Sequence, residues 1–98
     1  MAKKIIISRR FRKNTFRIFQ YLLEQFSAST ADNFLERREQ RIDFIVSNPE
    51  ADKVSLKRKD VRSILFIPYN QIFYRYRNNT IEILSLFDMR KNPAKRPF

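Results

Sequence analysis

QIFYRYRNNTIEILSLFDMRKNP, residues 71–93, is the stretch whose reading decides the fold. It opens on aromatic and β-branched residues, passes through an Asn-Asn pair and enters a second apolar run, the pattern of a β-hairpin ending in a basic tail. Asn is one of the few residues with a Cβ that enter the left-handed region readily. Asn78-Asn79 therefore predicts the two-residue primed turn that suits right-twisted strands. Such a turn sets the register: Arg77 opposite Thr80, Tyr76 opposite Ile81, Arg75 opposite Glu82, Tyr74 opposite Ile83 and Phe73 opposite Leu84. The Arg75–Glu82 and Tyr74–Ile83 pairs are each worth roughly 0.2–1 kcal/mol. Alternation places Ile72, Tyr74, Tyr76, Ile81, Ile83 and Phe87 on the expected core face, with Phe73, Arg75, Arg77, Glu82, Leu84 and Leu86 on the other.

Outward from the hairpin, the chain of 98 residues predicts one domain over residues 1–98, with room for one modest core. It has no Cys and no His. Disulfides, thiolate chemistry, imidazole bases and most zinc or haem sites are thereby excluded, and neither a metal nor a cofactor is expected. The opening MAKKIIIS has only three consecutive apolar residues, too few for a secretory or membrane segment. A cytoplasmic protein with no membrane partner is expected. Lys plus Arg number 21 against 10 Asp plus Glu, a net charge of +11, which points to a polyanionic partner: nucleic acid, an anionic membrane surface or an acidic protein. Glycine is absent, so Asn and Pro must punctuate, at Asn48-Pro49, Pro68-Tyr69-Asn70, Asn78-Asn79 and Asn92-Pro93.

Taken in order, Ile5, Ile6 and Ile7 predict a short strand buried on both sides or nearly so. Phe11, Thr15, Ile18, Phe19, Leu22 and Phe26 form the stripe of a first helix over residues 9–26. Ser29 as N-cap, with Asp32 in the first turn, predicts a second helix with Ala31, Phe34, Leu35, Ile42, Ile45 and Val46 inward. Asn48-Pro49 ends it, and about four residues of linker make the two helices an antiparallel hairpin. The charged segment at 51–60 reads as a loop or an edge strand, and residues 61–67 as a strand stopped by Pro68. The resulting fold class is α+β in the order β-α-α-β-β-β, with an antiparallel-rich sheet and the helical hairpin on one face.

This order, together with NPEA at 48–51, Arg62 opening its strand, IFYRY at 72–76, IEIL at 81–84 and RKNP at 90–93, resembles the RelE/ParE superfamily of type II toxin–antitoxin toxins, also called plasmid-stabilisation proteins. The resemblance spans nearly the whole chain and implies two possible activities. RelE-like members are ribosome-dependent mRNA endoribonucleases that use Lys and Arg with a Tyr or His near the C-terminal end. ParE-like members bind and poison DNA gyrase without a catalytic group. This chain has no His and no Tyr after Tyr76, and carries Asp88 where many relatives have His before the basic pair, here Arg90-Lys91. Strand cleavage needs a base, an acid and cations. Only the cations are plainly present, and an ordinary carboxylate is a weak base at neutral pH.

The expectation is therefore a ParE-like toxin with no catalytic residues, whose partners are DNA gyrase and an acidic antitoxin. The alternatives are a RelE-like ribonuclease acting on the ribosome and mRNA, and a non-toxic basic nucleic-acid-binding module. Arg62, Arg75, Arg77, Arg90 and Lys91 are the candidate target-binding residues. For Arg75 and Arg77 the competing reading is an ordinary ion pair on a solvated sheet face. Arg9, Arg10 and Lys13, at a helix start where the dipole disfavours cations, are candidates for antitoxin binding, together with Phe73, Leu84 and Leu86 on the exposed sheet face or, alternatively, the face of the helical hairpin.

Overall fold

Asn78 and Asn79 both stand at positive φ, 51° and 56°, the backbone of a type I′ turn. They join β4 (Asn70–Arg77) to β5 (Thr80–Asp88) in a computed structural model that describes residues 3–51, 53–54, 58, 60–66 and 70–88. Next to the turn, the expected register holds. Arg77 faces Thr80, Tyr76 faces Ile81, Arg75 faces Glu82 and Tyr74 faces Ile83.

One step further the register changes, because Phe73 faces Ser85 and not Leu84. Leu84 is the extra residue of a β-bulge, and a bulge reverses which face later residues occupy. Leu86 consequently joins the main core with Ile81 and Ile83, while Phe87 goes to the far face with Phe73, Leu84 and Val61. Two expectations are corrected here: Phe87 is not on the helix-covered face, and Phe73, Leu84 and Leu86 are buried rather than exposed. The far face holds its own small cluster, in which Phe73 and Phe87 meet edge to face at 6.5 Å between ring centroids.

The sheet has the order β1-β5-β4-β3-β2. β1 (Lys4–Ile7) runs parallel to β5 at one edge. Because an edge strand has a neighbour on one side only, Ile5 and Ile6 are exposed, not buried on both sides as the isoleucine run suggests. β3 (Val61–Phe66) is antiparallel to β4, and the two-residue β2 (Lys53–Val54) closes the other edge. The edge-strand reading of the charged segment is thus the correct one for those two residues. Ile67, Pro68 and Tyr69 lie outside the described residues.

α1 (Arg9–Gln25) and α2 (Ala28–Ser47) cover one face of the sheet. The link between them is tighter than the sequence suggests. Ser27, not Ser29, caps α2, its hydroxyl accepting from the Thr30 N–H at 3.1 Å. α2 ends at Asn48 as expected. Phe11, Phe34, Ile42 and Ile45 reach down onto Ile64, Phe66, Ile72, Tyr74, Ile81, Ile83 and Leu86. Full burial of a side chain such as Phe11 contributes about 2–3 kcal/mol relative to exposure. Burial fades along α1: Phe11 and Thr15 are buried, Ile18, Phe19 and Leu22 half-buried. Phe26 is exposed and meets the Tyr21 ring edge to face, so the expected stripe stops short of the helix end.

Arg38 locks the two helices together. Its guanidinium lies 4.9 Å above the Phe11 ring, donates from Nε to Thr15 Oγ1 at 3.2 Å and pairs with Glu39. Among the described residues, no helix is long and apolar enough to cross a membrane.

Candidate interaction surfaces

The chemistry-bearing residues fall into three places, beginning with the joint between α1 and the bulge. Ser8 caps α1, accepting from the Phe11 N–H at 3.0 Å, and its own hydroxyl donates to the Leu84 carbonyl at 2.6 Å. Leu84 has no partner residue on β4, and its carbonyl takes the Ser8 hydroxyl, so the helix cap and the sheet irregularity meet at one side chain. Six residues on, Asn14 Oδ1 accepts from the Leu86 N–H at 3.0 Å. Through these two contacts the first turns of α1 sit in a fixed position against β5.

That position presents Arg9, Arg10, Lys13 and Arg17, which with Asn14 line a recess of about 410 Å³. All four cations are exposed, and none makes an ion pair among the described residues. The first turn has no acidic residue, so the positive end of the helix dipole adds to the field of the side chains. Arg17 and Asn14 are additions that the sequence reading did not single out. The signal was present in the four-residue spacing of Arg9, Lys13 and Arg17.

On the far face of the sheet the arginines are in the opposite state. Arg75, half-buried, holds Asp60 at 2.9 Å and Glu82 at 3.2 Å; Arg77 and Arg58 reach the same Asp60 at 3.7 and 3.8 Å. The expected Arg75–Glu82 pair is present, and Asp60 is the residue the sequence did not flag.

Arg62 stands apart from both groups. It lies on the helix-covered face, across from Tyr74, whereas Leu65 and Phe73 belong to the far face. Its guanidinium donates to the Glu50 carbonyl at 3.1 Å, while the Tyr74 hydroxyl donates to the Pro49 carbonyl at 3.1 Å. Together they pin the turn after α2 to the sheet. The five expected target-binding residues therefore do not form one patch: Arg62 is on one face, Arg75 and Arg77 are on the other, and Arg90 and Lys91 lie outside the described residues. Asp88 ends β5 opposite Asn70. Of the expected antitoxin contacts, Arg9, Arg10 and Lys13 are together and exposed, whereas Phe73, Leu84 and Leu86 are buried.

Two helices on one face of a mixed sheet, with a parallel first strand and a C-terminal antiparallel meander, define the ParE/RelE-like α+β fold. A solved structure described as the chromosomal ParDE TA system from P. aeruginosa has this fold. It superposes with a TM-score of 0.76, covering 89% of this chain and 96% of that one at 14% identity. The family model for the ParE toxin of type II toxin–antitoxin systems, parDE, matches residues 5–93. The chain belongs to the ParE toxin family. Among curated proteins, no sequence matches it.

Proposed function

We infer that this chain is a toxin that binds and poisons DNA gyrase in the cytoplasm and is neutralised by an acidic antitoxin. The observation that carries the reading is the match to the ParE toxin family across residues 5–93. In the same direction, the chain has no His, no Tyr after Tyr76 and an Asp at position 88, a poor set for proton transfer in strand cleavage.

Arg90 and Lys91 are the first choices for target contact, with Arg77 as a further exposed cation; Arg62 and Arg75 serve the fold through the contacts described above. For the antitoxin, Arg9, Arg10 and Lys13 supply electrostatic steering. Phe16 and Leu23, exposed on α1 and seven residues apart on one side of the helix, offer the apolar contact first expected of Phe73, Leu84 and Leu86.

In purified assays the chain should block gyrase supercoiling or trap cleaved DNA, and it should leave ribosome-bound message intact. Arg90→Ala with Lys91→Ala should reduce toxicity without unfolding the protein, and Asp88→Asn should change little. Codon-specific cleavage of message on ribosomes, lost in Asp88→Asn and unaccompanied by any effect on gyrase, would replace this reading with the ribonuclease one.

A further inference from the structure

We propose that the recess on α1 is a binding site for the phosphodiester backbone of duplex DNA, held by Arg9, Lys13 and Arg17 with Arg10 beside them. Among the described residues the recess is lined by Arg9, Arg10, Lys13, Asn14 and Arg17, so its apolar surface is that of the aliphatic stems under charged and amide heads. Protein–protein interfaces have an apolar centre inside a polar rim; contacts to a nucleic-acid backbone are ionic and polar throughout. The lining therefore suits a phosphate backbone inside the recess, while the apolar contacts offered to the antitoxin, Phe16 and Leu23, lie outside it and the same cations steer that partner only at long range.

Spacing gives the second argument. Residues four apart on a helix rise about 6 Å per step, so Arg9, Lys13 and Arg17 form a straight row of positive charge on one side of α1. A stiff duplex offers phosphates in a regular row, which such a fixed row can meet without ordering a flexible partner. The row is itself fixed, because Ser8 and Asn14 tie α1 to the Leu84 carbonyl and the Leu86 N–H. Unlike Arg75 and Arg77, these cations have no carboxylate among the described residues to give up before they can take a phosphate. Arg12 marks the limit of the site: it is an exposed cation on the same helix that does not line the recess.

The inference concerns a DNA contact of this chain alone and stands apart from the gyrase reading. It is tested on the full chain, without gyrase, by fluorescence anisotropy with a short labelled DNA duplex of mixed sequence across about 50–200 mM salt. Arg9→Gln, Lys13→Gln and Arg17→Gln combined should weaken binding roughly tenfold or more and flatten the slope of log affinity against log salt by roughly 2.7. The charge-matched control Arg12→Gln, Arg37→Gln and Arg41→Gln should change affinity by less than about threefold, since attraction through the general field is shared and screened. Circular dichroism checks that both variants keep the helices. Equal losses in the two variants would overturn the site in favour of delocalised charge, and failure of the unmodified chain to bind the duplex would overturn it outright. Tighter binding of the matching RNA duplex, or of polyglutamate at equal charge, would assign the recess to that polyanion instead.

Discussion

Arg9, Arg10, Lys13 and Arg17 on α1 have no ion-pair partner among the described residues, whereas Arg58, Arg75 and Arg77 on the far sheet face converge on Asp60, with Glu82 on the other side of Arg75. In sequence the two sets look alike, short runs of basic residues in a strongly basic chain. Their surroundings separate them. On the sheet, the side chain of Arg75 is only 16% exposed, so its charge has been largely taken from water and must be matched by nearby carboxylates. On α1 the cations remain in water and work against the helix dipole. A cation that is already satisfied holds the fold together, and one that is unsatisfied is available to a partner.

The largest effect that could break this comparison should come from Asp60→Ala. It leaves the half-buried Arg75 with Glu82 alone and removes the shared partner of Arg77 and Arg58. A loss of about 2 kcal/mol is expected, less than the value for a fully buried pair because Asp60 itself is partly in water. Urea denaturation checks it, and a change inside about 0.5 kcal/mol would make the sheet arginines as free as those of α1.

Ser8→Ala should come next, at roughly 1 kcal/mol, since it removes the α1 cap and leaves the Leu84 carbonyl without its hydroxyl donor. Because Ser8 also positions the basic row, amide exchange at the start of α1 should quicken along with the loss of stability. Stability loss with unchanged exchange there would separate the bulge from the helix start.

Least affected should be the fold of a variant in which Arg9, Arg10 and Lys13 are reversed in charge. Its stability is expected to stay the same or to rise by well under about 1 kcal/mol, the gain fading with salt, because these side chains have no ion-pair partner to lose among the described residues. Association with an acidic partner should nevertheless slow at low ionic strength, with dissociation little altered. A stopped-flow association rate equal to that of the unmodified chain would show that the cluster does not steer.

How far the sequence carries can be seen within the hairpin. From Arg77–Thr80 to Tyr74–Ile83 the register was legible, because it depends on a local turn and on alternation, and both are written in neighbouring residues. The bulge at Leu84 was not. The run ILSLF contains no break in apolar character, and a bulge is selected by what lies above the sheet: here the Ser8 hydroxyl and the Asn14 amide, distant in sequence. Ser85, a polar residue that proves to be buried, was the only local hint. The same limit misplaced Phe73, Leu84, Leu86 and Phe87, whose face depends on a one-residue shift. At the start of α2, Ser27 and Ser29 are chemically equivalent caps, and the choice between them rests on the packing of the hairpin.

The sequence by itself determined the fold class, the element order, the type I′ turn, the positive charge and the poverty of proton-transfer groups, since each of these follows from residue identity and short-range spacing. Tertiary structure alone decided which cations are bound and which are open. Asp60 meets Arg75 across a strand pairing and Ser8 meets Leu84 across 76 residues of sequence, and an ion pair or a bulge carbonyl acquires its partner only when distant segments are brought within a few ångströms of each other.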